Sequence, residues 1–513
     1  MSIVFKSDRF FKFSLVLVIM ITVLVPTLSH AEYTWTEQTG AGSRYWLSIS
    51  SSSDGSKLVA GTYGGSSTHG SIYDDYIYTS TDSGVTWTTE TDVSGVWNGI
   101  TSNSDGTKLA AVSSGAYYLI SYGDYIYTST DSGSTWTKQT NSGMSSWNCI
   151  ASSSDGSKLV VGNTGVGYSD GYIYTSTDSG ATWIERTGAG SGYWKSIASS
   201  SDGSKLAAGI SGTYGGFIYT STDSGATWLE RTGFGSRYWY SIASSSDGSK
   251  LAAVAYNDYI YTSTDSGSTW TERTGSGSRY WYSIASSSDG SKLAAVAYND
   301  YIYTSTDSGS TWTERTGSGS RWWYSIASSS DGSKLAAVDG YIGRFSSGGY
   351  IYTSTDSGAT WTAQTSADSR FWKSIASSSD GSKLAAVDNG DGYYGGYIYT
   401  GVSFSSSLTH RLTAPTTTSV YRGGYLGPFS STITNSTTSS TYYMYAYIYT
   451  SDGSWILQTN SGVPILNGQT YSPMNSNVYV PYGATTGTYY YYEVIYDSSW
   501  NQTEYKYFSY TVN

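Results

Sequence analysis

The sequence predicts an all-β protein: an eight-bladed β-propeller of four-stranded blades, closed by its N-terminal strand and followed by a small β-sandwich. Three observations predict it. The octapeptide Ser-Thr-Asp-Ser-Gly-x-Thr-Trp recurs seven times, at Asp82, Asp131, Asp178, Asp223, Asp265, Asp307 and Asp356, with 42 to 49 residues between successive aspartates. Each repeat divides into four short β-prone runs separated by turn residues. The array starts with the last run of a repeat and ends without one, so the two fragments complete each other.

Residues 1–31 come first and read as a signal peptide. Lys6, Arg9 and Lys12 precede an apolar run over 13–25, and Ser29-His30-Ala31 offers a small-x-small cleavage site. An apolar run of about 13 residues is short of the roughly 20 that span a bilayer. The expected location is therefore secreted or periplasmic, with no membrane span after cleavage. Removing the leader takes away a net +2 and moves the charge from −11 to −13. That balance opposes nucleic acid as a partner, since phosphate binding needs a basic stripe.

Residues 32–404 form the array. Residues 241–282 are repeated over 283–324 with one change, Tyr280 to Trp322. Strand a is expected over 239–244, b over 250–255, c over 259–264 and d over 269–274. Asp247-Gly248 suggests a type I′ hairpin between a and b. The octapeptide forms the c–d turn: Ser263 and Asp265 bond to its backbone, Gly267 supplies a conformation closed to bulkier residues, and Trp270 enters the core. Its equivalents are Trp87, Trp136, Trp183, Trp228, Trp312 and Trp361, and removing such an indole should cost about 3–5 kcal/mol. A second tryptophan opens strand a in every blade, at Trp46, Trp97, Trp147, Trp194, Trp239, Trp281, Trp323 and Trp372. Strand a, with Ser and Ala around Ile242, suits the crowded axis; strand d, with Glu272 and Arg273, suits the wet rim. Cys149 replaces the Ser196 of the next repeat and reads as a buried small residue.

The octapeptide resembles the bacterial neuraminidase repeat, or Asp-box, whose pattern Ser-x-Asp-x-Gly-x-Thr-Trp all seven sites match over residues 80–361. The resemblance implies a sialidase-like propeller with the box at the c–d turn, away from the active face. Sialidases, sortilin-type receptors and photosystem II assembly factors share it, so it names a fold and leaves the function open.

A meander puts the a–b and c–d turns on one side and the b–c and d–a connections on the other. The first set is nearly invariant; the b–c connections vary, from 255–258 to the long stretch 62–75, which marks their side as the recognition face. The d–a connections place Arg44, Arg237, Arg279, Arg321 and Arg370 at equivalent points, beside Tyr45, Tyr193, Tyr238, Tyr280, Trp322 and Phe371. Guanidinium donors with flat rings suit sugars or acidic polymers. The same Arg-Tyr-Trp could instead brace one blade on the next.

A sialidase-like site needs an arginine cluster, a tyrosine nucleophile assisted by glutamate, and a separate aspartic acid. The family's Arg-Ile-Pro motif is missing, because residues 32–404 contain no proline. The array's glutamates, Glu32, Glu37, Glu90, Glu185, Glu230, Glu272 and Glu314, fall mostly in the outer strand. Loop aspartates that could serve a two-carboxylate mechanism are Asp74, Asp75, Asp170, Asp339, Asp388 and Asp391. His69 and His410 are isolated, and no zinc or Ser-His-Asp pattern occurs. The expectation is a non-catalytic binding or scaffold propeller for a glycan, a cell-surface polymer or a protein, without metal or cofactor. The alternatives are a sialidase-like exo-glycoside hydrolase and an assembly factor resembling the photosystem propellers.

The blade pattern fails after Thr400. Runs at 441–450, 455–458, 477–480, 488–496 and 505–512 read as an antiparallel sandwich over 405–513, loosely resembling bacterial immunoglobulin-like accessory domains. Alternate rings of the Tyr489 to Tyr492 run must face opposite sides.

Overall fold

The computed structural model describes residues 33–63, 76–114, 123–165, 171–212, 215–340, 348–391 and 394–403 of the array. Beyond it, the described residues are 408–413, 419–422, 425–435, 442–450, 455–465, 470–471, 476–480, 484–496 and 502–513. The leader 1–31, most of the long 62–75 stretch with His69, Asp74 and Asp75, and Asp170 lie outside them. The chain divides into two compact units, one of them Glu32–Ser403, the other holding Phe404–Asn513.

The first unit is a β-propeller. Blade 5 is typical, with strand a Trp239–Ser244, b Leu251–Asp258, c Ile260–Ser263 and d Thr271–Arg273. All three pairings are antiparallel. The ends meet in blade 8, where Tyr33–Gln38 pairs with Ile398–Ser403, Tyr33 opposite Ser403 and Gln38 opposite Ile398. Tyr33 and Trp35 bury their rings there. The Tyr33 hydroxyl also donates to the Gly381 carbonyl at 2.6 Å. Eight backbone bonds then circle the axis: each N–H of Ser53, Ser104, Ser154, Ser201, Ser246, Ser288, Ser330 and Ser379 donates to the next in turn, and Ser379 to Ser53, at 2.7–2.8 Å.

The hydrophobic cores lie between blades. Ala198, Ala207 and Ile218 of blade 4 pack on Trp239, Ile242, Leu251, Ala253 and Tyr261 of blade 5. Val387 and Ile398 of blade 8 likewise meet Trp46 and Tyr78 of blade 1. Each strand a indole is fully or almost fully buried. Trp239 donates from Nε1 to the Gly216 carbonyl of the preceding blade at 3.0 Å and meets Tyr261 edge-on at 5.1 Å.

Two expectations about turns change. In the a–b turn only Gly248 is left-handed, at φ 65°; Asp247 is not, so the turn is not type I′. Asp247 instead accepts from the Ser245 and Ser249 hydroxyls and the Ser249 N–H, while the Ser245 N–H donates to the Lys250 carbonyl across a wider loop. In the c–d turn Asp265 accepts from Ser263 Oγ, Thr269 N and Thr269 Oγ1 at 2.6–2.8 Å. Gly267 sits at φ 80°, where a Cβ would meet Thr220 Cγ2 at 2.5 Å. Only Trp183 and Trp228 of the box tryptophans are buried; Trp270 is half-buried at the edge of its core. The deepest packing belongs to strand a, whose eight indoles are at most 1% exposed.

The described residues of the C-terminal unit form two sheets. One pairs Tyr442–Thr450 with Trp455–Ile465 and Gly487–Tyr496, which pairs in turn with Gln502–Val512. A parallel edge, Ser419–Val420 on Gln502–Val512, departs from the purely antiparallel expectation. The other, comprising Leu408–Thr413, Tyr425–Asn435, Thr470–Tyr471 and Ser476–Tyr479, is mostly unanticipated: its Ser/Thr-rich strands carry little hydrophobic alternation. Tyr489 and Tyr491 are buried, and Tyr489 stacks on Tyr510 with ring centroids 5.7 Å apart.

Candidate functional site

The d–a arginines join consecutive blades. The backbone of Arg279 pairs with Asp258 of blade 5, while its side chain reaches into blade 6, 2.6 Å from Asp300, 3.3 Å from Glu314 and 4.6 Å from the Tyr303 ring centroid. Arg237 bridges backbone to Gly216 of blade 4 and side chain to Asp258 of blade 5 at 2.5 Å. Arg321 engages Asp339 at 3.5 Å, and Arg370 engages Glu37 at 2.9 Å. Arg44 donates to the Tyr78 hydroxyl and the Ser43 carbonyl. These guanidiniums are directed at the ends of strands b and at the tyrosines and glutamates of strands c and d.

The same clusters put a tyrosine beside a glutamate, as a glycosidic nucleophile would require. Tyr261 donates to Glu272 at 2.8 Å, Tyr303 to Glu314 at 2.5 Å, and Tyr399 to Glu37. Burial, together with the carboxylates, pushes all three phenols above their ordinary range. A nucleophile needs the opposite shift, and the arrangement recurs blade after blade, as a structural device does. Asp339 is pushed up to about 6 by burial, with Arg321 opposing, and Asp388 is raised for the same reason. Cys149 is a free, buried thiol pushed up to about 12 by burial, which makes it unreactive. Among the described residues no group of three metal-ligating side chains occurs, and no helix is long and apolar enough to cross a membrane.

The blades differ most usefully at the second residue of strand a. It is Leu47, Asn98 and Asn148 in blades 1–3, Lys195 in blade 4, Tyr240, Tyr282 and Tyr324 in blades 5–7, and Lys373 in blade 8. These side chains form a layer around the axis near the d–a end: Asn98 and Asn148 each donate to the carbonyl of the tryptophan opening the next blade. Tyr240 and Tyr324 lie 5.3 and 5.4 Å from Tyr282 between them. The aromatic surface continues outward through the b–c hairpins. Tyr240 stacks on Tyr256, which meets Tyr280 at 4.8 Å; Tyr282 stacks on Tyr298, which meets Trp322 at 4.7 Å. Strand b extends through Asp258 and Asp300 and pairs with the next blade, merging blades 5–7 into one twelve-stranded sheet beneath this surface. Tyr193, Tyr238, Tyr240 and Tyr256 line a cavity of about 450 Å³, and Tyr193, Tyr238 and Tyr280 are each more than two-fifths exposed. Tyr45 and Phe371 are partly buried on blades 1 and 8, outside this run.

The opposite end of the axis is a cavity of about 290 Å³ lined by serines and Asn103. Its first-row hydroxyls, such as Ser244 Oγ, donate to the following carbonyl, and its second-row hydroxyls, such as Ser245 Oγ, donate to the turn aspartates. The seven box aspartates hold turns on that face. Sequence reasoning picked the exposed aromatics of the d–a loops but missed Tyr240, Tyr282, Tyr324, Lys195 and Lys373. The signal was present: the residue after the strand a tryptophan is the variable place in an otherwise uniform strand.

No family model and no curated protein matches the chain. Solved structures similar to it are β-propeller neighbours at low identity. They include YCF48 bound to D1 peptide, at 17% identity, covering 61% of this chain and 94% of that one, TM-score 0.43. A GH74 xyloglucanase from Xanthomonas campestris has 12% identity, covers 90% and 85%, and has TM-score 0.40. The Cps50 (Swd1) β-propeller domain of Myceliophteria thermophila has 10% identity, covers 70% and 97%, and has TM-score 0.43.

Proposed function

We propose that this is an exported, non-catalytic propeller that binds a glycan across the aromatic surface of blades 4–7, with the C-terminal unit as an accessory domain. The observation that carries the reading is the continuity of that surface, from the exposed Tyr193, Tyr238 and Tyr280 inward to Tyr240, Tyr282 and Tyr324. Solvent-facing rings held rigid by stacking form an apolar platform with phenolic donors at its edges, and a pyranose has the complementary form of apolar faces and an equatorial hydroxyl rim. The axial tyrosines are confined to three of eight blades, although the fold requires none of them, since the other blades carry Leu47, Asn98, Asn148, Lys195 and Lys373 at the same place. A glycan array followed by titration of the strongest binder tests the proposal. Tyr256→Ala and Tyr280→Ala should each weaken binding at least about tenfold, or about 1.4 kcal/mol, while circular dichroism stays unchanged. Glycan binding indifferent to both substitutions would remove the platform, and hydrolysis of a fluorogenic sialoside or other glycoside would replace a binding role with an enzymatic one.

A further inference from the structure

Lys195 and Lys373 bracket the three axial tyrosines. Lys195 Nζ stands 5.9 Å from the Tyr240 ring centroid at one end, and Lys373 Nζ 4.8 Å from that of Tyr324 at the other. The fold does not demand lysine here, since equivalent blades carry Leu47, Asn98, Asn148 and tyrosines. No described carboxylate lies within ion-pair distance of either ammonium; Glu37, Asp258, Asp300, Glu314 and Asp339 are engaged by the arginines farther out. Burial lowers the pKa of both lysines, and the charge of Lys195 depresses that of Lys373 further. Two partly desolvated cations that repel one another and have only the faces of Tyr240 and Tyr324, with no carboxylate, as partners are unfavourable in the unliganded protein. They occur in a chain whose net charge is −11, so they are not part of a general basic surface. An anion placed between them would relieve both burial and repulsion.

We infer that the axial mouth selects an acidic sugar, with Lys195 and Lys373 binding the carboxylate or sulfate of a residue whose ring lies on Tyr240, Tyr282 and Tyr324. The inference rests on the glycan-platform reading and specifies its ligand class. Two cations about one anion orient it, and the tyrosines between them offer both ring faces and phenol donors. Neighbouring sugar units then extend over Tyr256 and Tyr280 or over Tyr298 and Trp322. The negative charge of the protein as a whole opposes polyanions that lie flat on its surface, so recognition depends on the local pair.

The test titrates the full chain with matched probes: oligogalacturonate and its carboxyl-reduced counterpart, sialyllactose and lactose, and a sulfated oligosaccharide and its desulfated form. At least one acidic probe should bind about tenfold or more tighter than its neutral partner. Lys195→Gln combined with Lys373→Gln should abolish that difference and leave the affinity for the neutral partner within about twofold. Lys57→Gln, in the a–b turn region, controls for net charge and should change nothing. Equal binding of acidic and neutral partners, or a preference that survives the double substitution, overturns the lysine assignment while leaving the platform intact. Absence of binding to every sugar overturns the platform itself. Lysine-dependent binding of poly-glutamate without binding of acidic sugars would show a peptide site and overturn the sugar assignment.

Discussion

Replacing Arg279 with methionine separates a structural arginine from a ligand-binding one. The substitution keeps most of the apolar stem and deletes the guanidinium that stands 2.6 Å from Asp300 and 3.3 Å from Glu314. An exposed ion pair is worth about 0.2–1 kcal/mol, and breaking a buried one costs about 3–5 kcal/mol. The Arg279 and Asp300 side chains are 26% and 20% exposed, and Asp300 keeps the Tyr301 N–H at 2.7 Å, so about 1–2 kcal/mol fits this pair. Loss of the cation–π contact with Tyr303 adds about 0.5–1 kcal/mol. The expected cost is thus about 1.5–3 kcal/mol, read by chemical denaturation, with glycan affinity unchanged. A double-mutant cycle with Asp300→Asn should recover about 1 kcal/mol or more as coupling. Full stability with lost binding would refute the reasoning, because it would mean that the guanidinium is committed to ligand rather than to blade 6.

Trp239→Ala, at a fully buried indole, should cost about 3–5 kcal/mol, and Trp270→Ala, half-buried, about half that; equal losses in thermal unfolding would contradict the burial difference. On the acid side, hydrogen bonds from serine hydroxyls and turn N–H groups hold Asp54, Asp155, Asp247 and Asp331 at about 2. Their folded pKa is below the unfolded value of about 3.9, so their stabilisation is complete above that pH and disappears as pH falls towards 2; melts that do not weaken across this window would count against the turn geometry. Asp339, at about 6, acts in the opposite sense: the fold favours its protonated form, stability declines as pH rises from about 4 to 6, and Asp339→Asn should flatten that decline. Lys373→Gln should raise the melting temperature of the unliganded protein, since burial and repulsion from Lys195 outweigh the contact of the ammonium with the Tyr324 ring; a lower melting temperature would show that the contact with Tyr324 dominates.

The octapeptide made the blade count, strand register and closing strand readable, because a repeat of one supersecondary unit fixes its neighbours. The Asp247-Gly248 turn was misread: a hairpin dipeptide suggests type I′, but the serine hydroxyls on either side bond to Asp247 and select a different loop. Trp270 was placed too deep, since the same octapeptide carries the buried Trp228 and the half-buried Trp270 and does not distinguish them. The role of the arginines depended on where a long side chain turns, towards the axis or towards the aspartates, tyrosines and glutamates of strands b, c and d, and sequence spacing contains no such information. The axial layer was accessible in principle. Aligning the eight strand a segments on their tryptophans isolates one position that runs Leu, Asn, Asn, Lys, Tyr, Tyr, Tyr, Lys.

In a ring of near-copies, whatever every blade shares is accounted for by the ring. The box aspartates close hairpins, the serine triplets close the axis, and the strand a indoles fill the seams between blades. A ligand smaller than the whole face experiences only the departures from that symmetry. Those departures coincide in space: the tyrosines of blades 5–7, the lysines on either side and the extended b–c hairpins beneath all lie at one end of the axis and span one arc of it. Packing alone gives no reason for differences at separate sequence positions to converge on one arc, because each blade interface is filled by the same residues whether the axial side chain is Leu47 or Tyr282. The binding proposed above is therefore placed on the asymmetric arc of the d–a face, while the seven repeated boxes hold the turns of the opposite face.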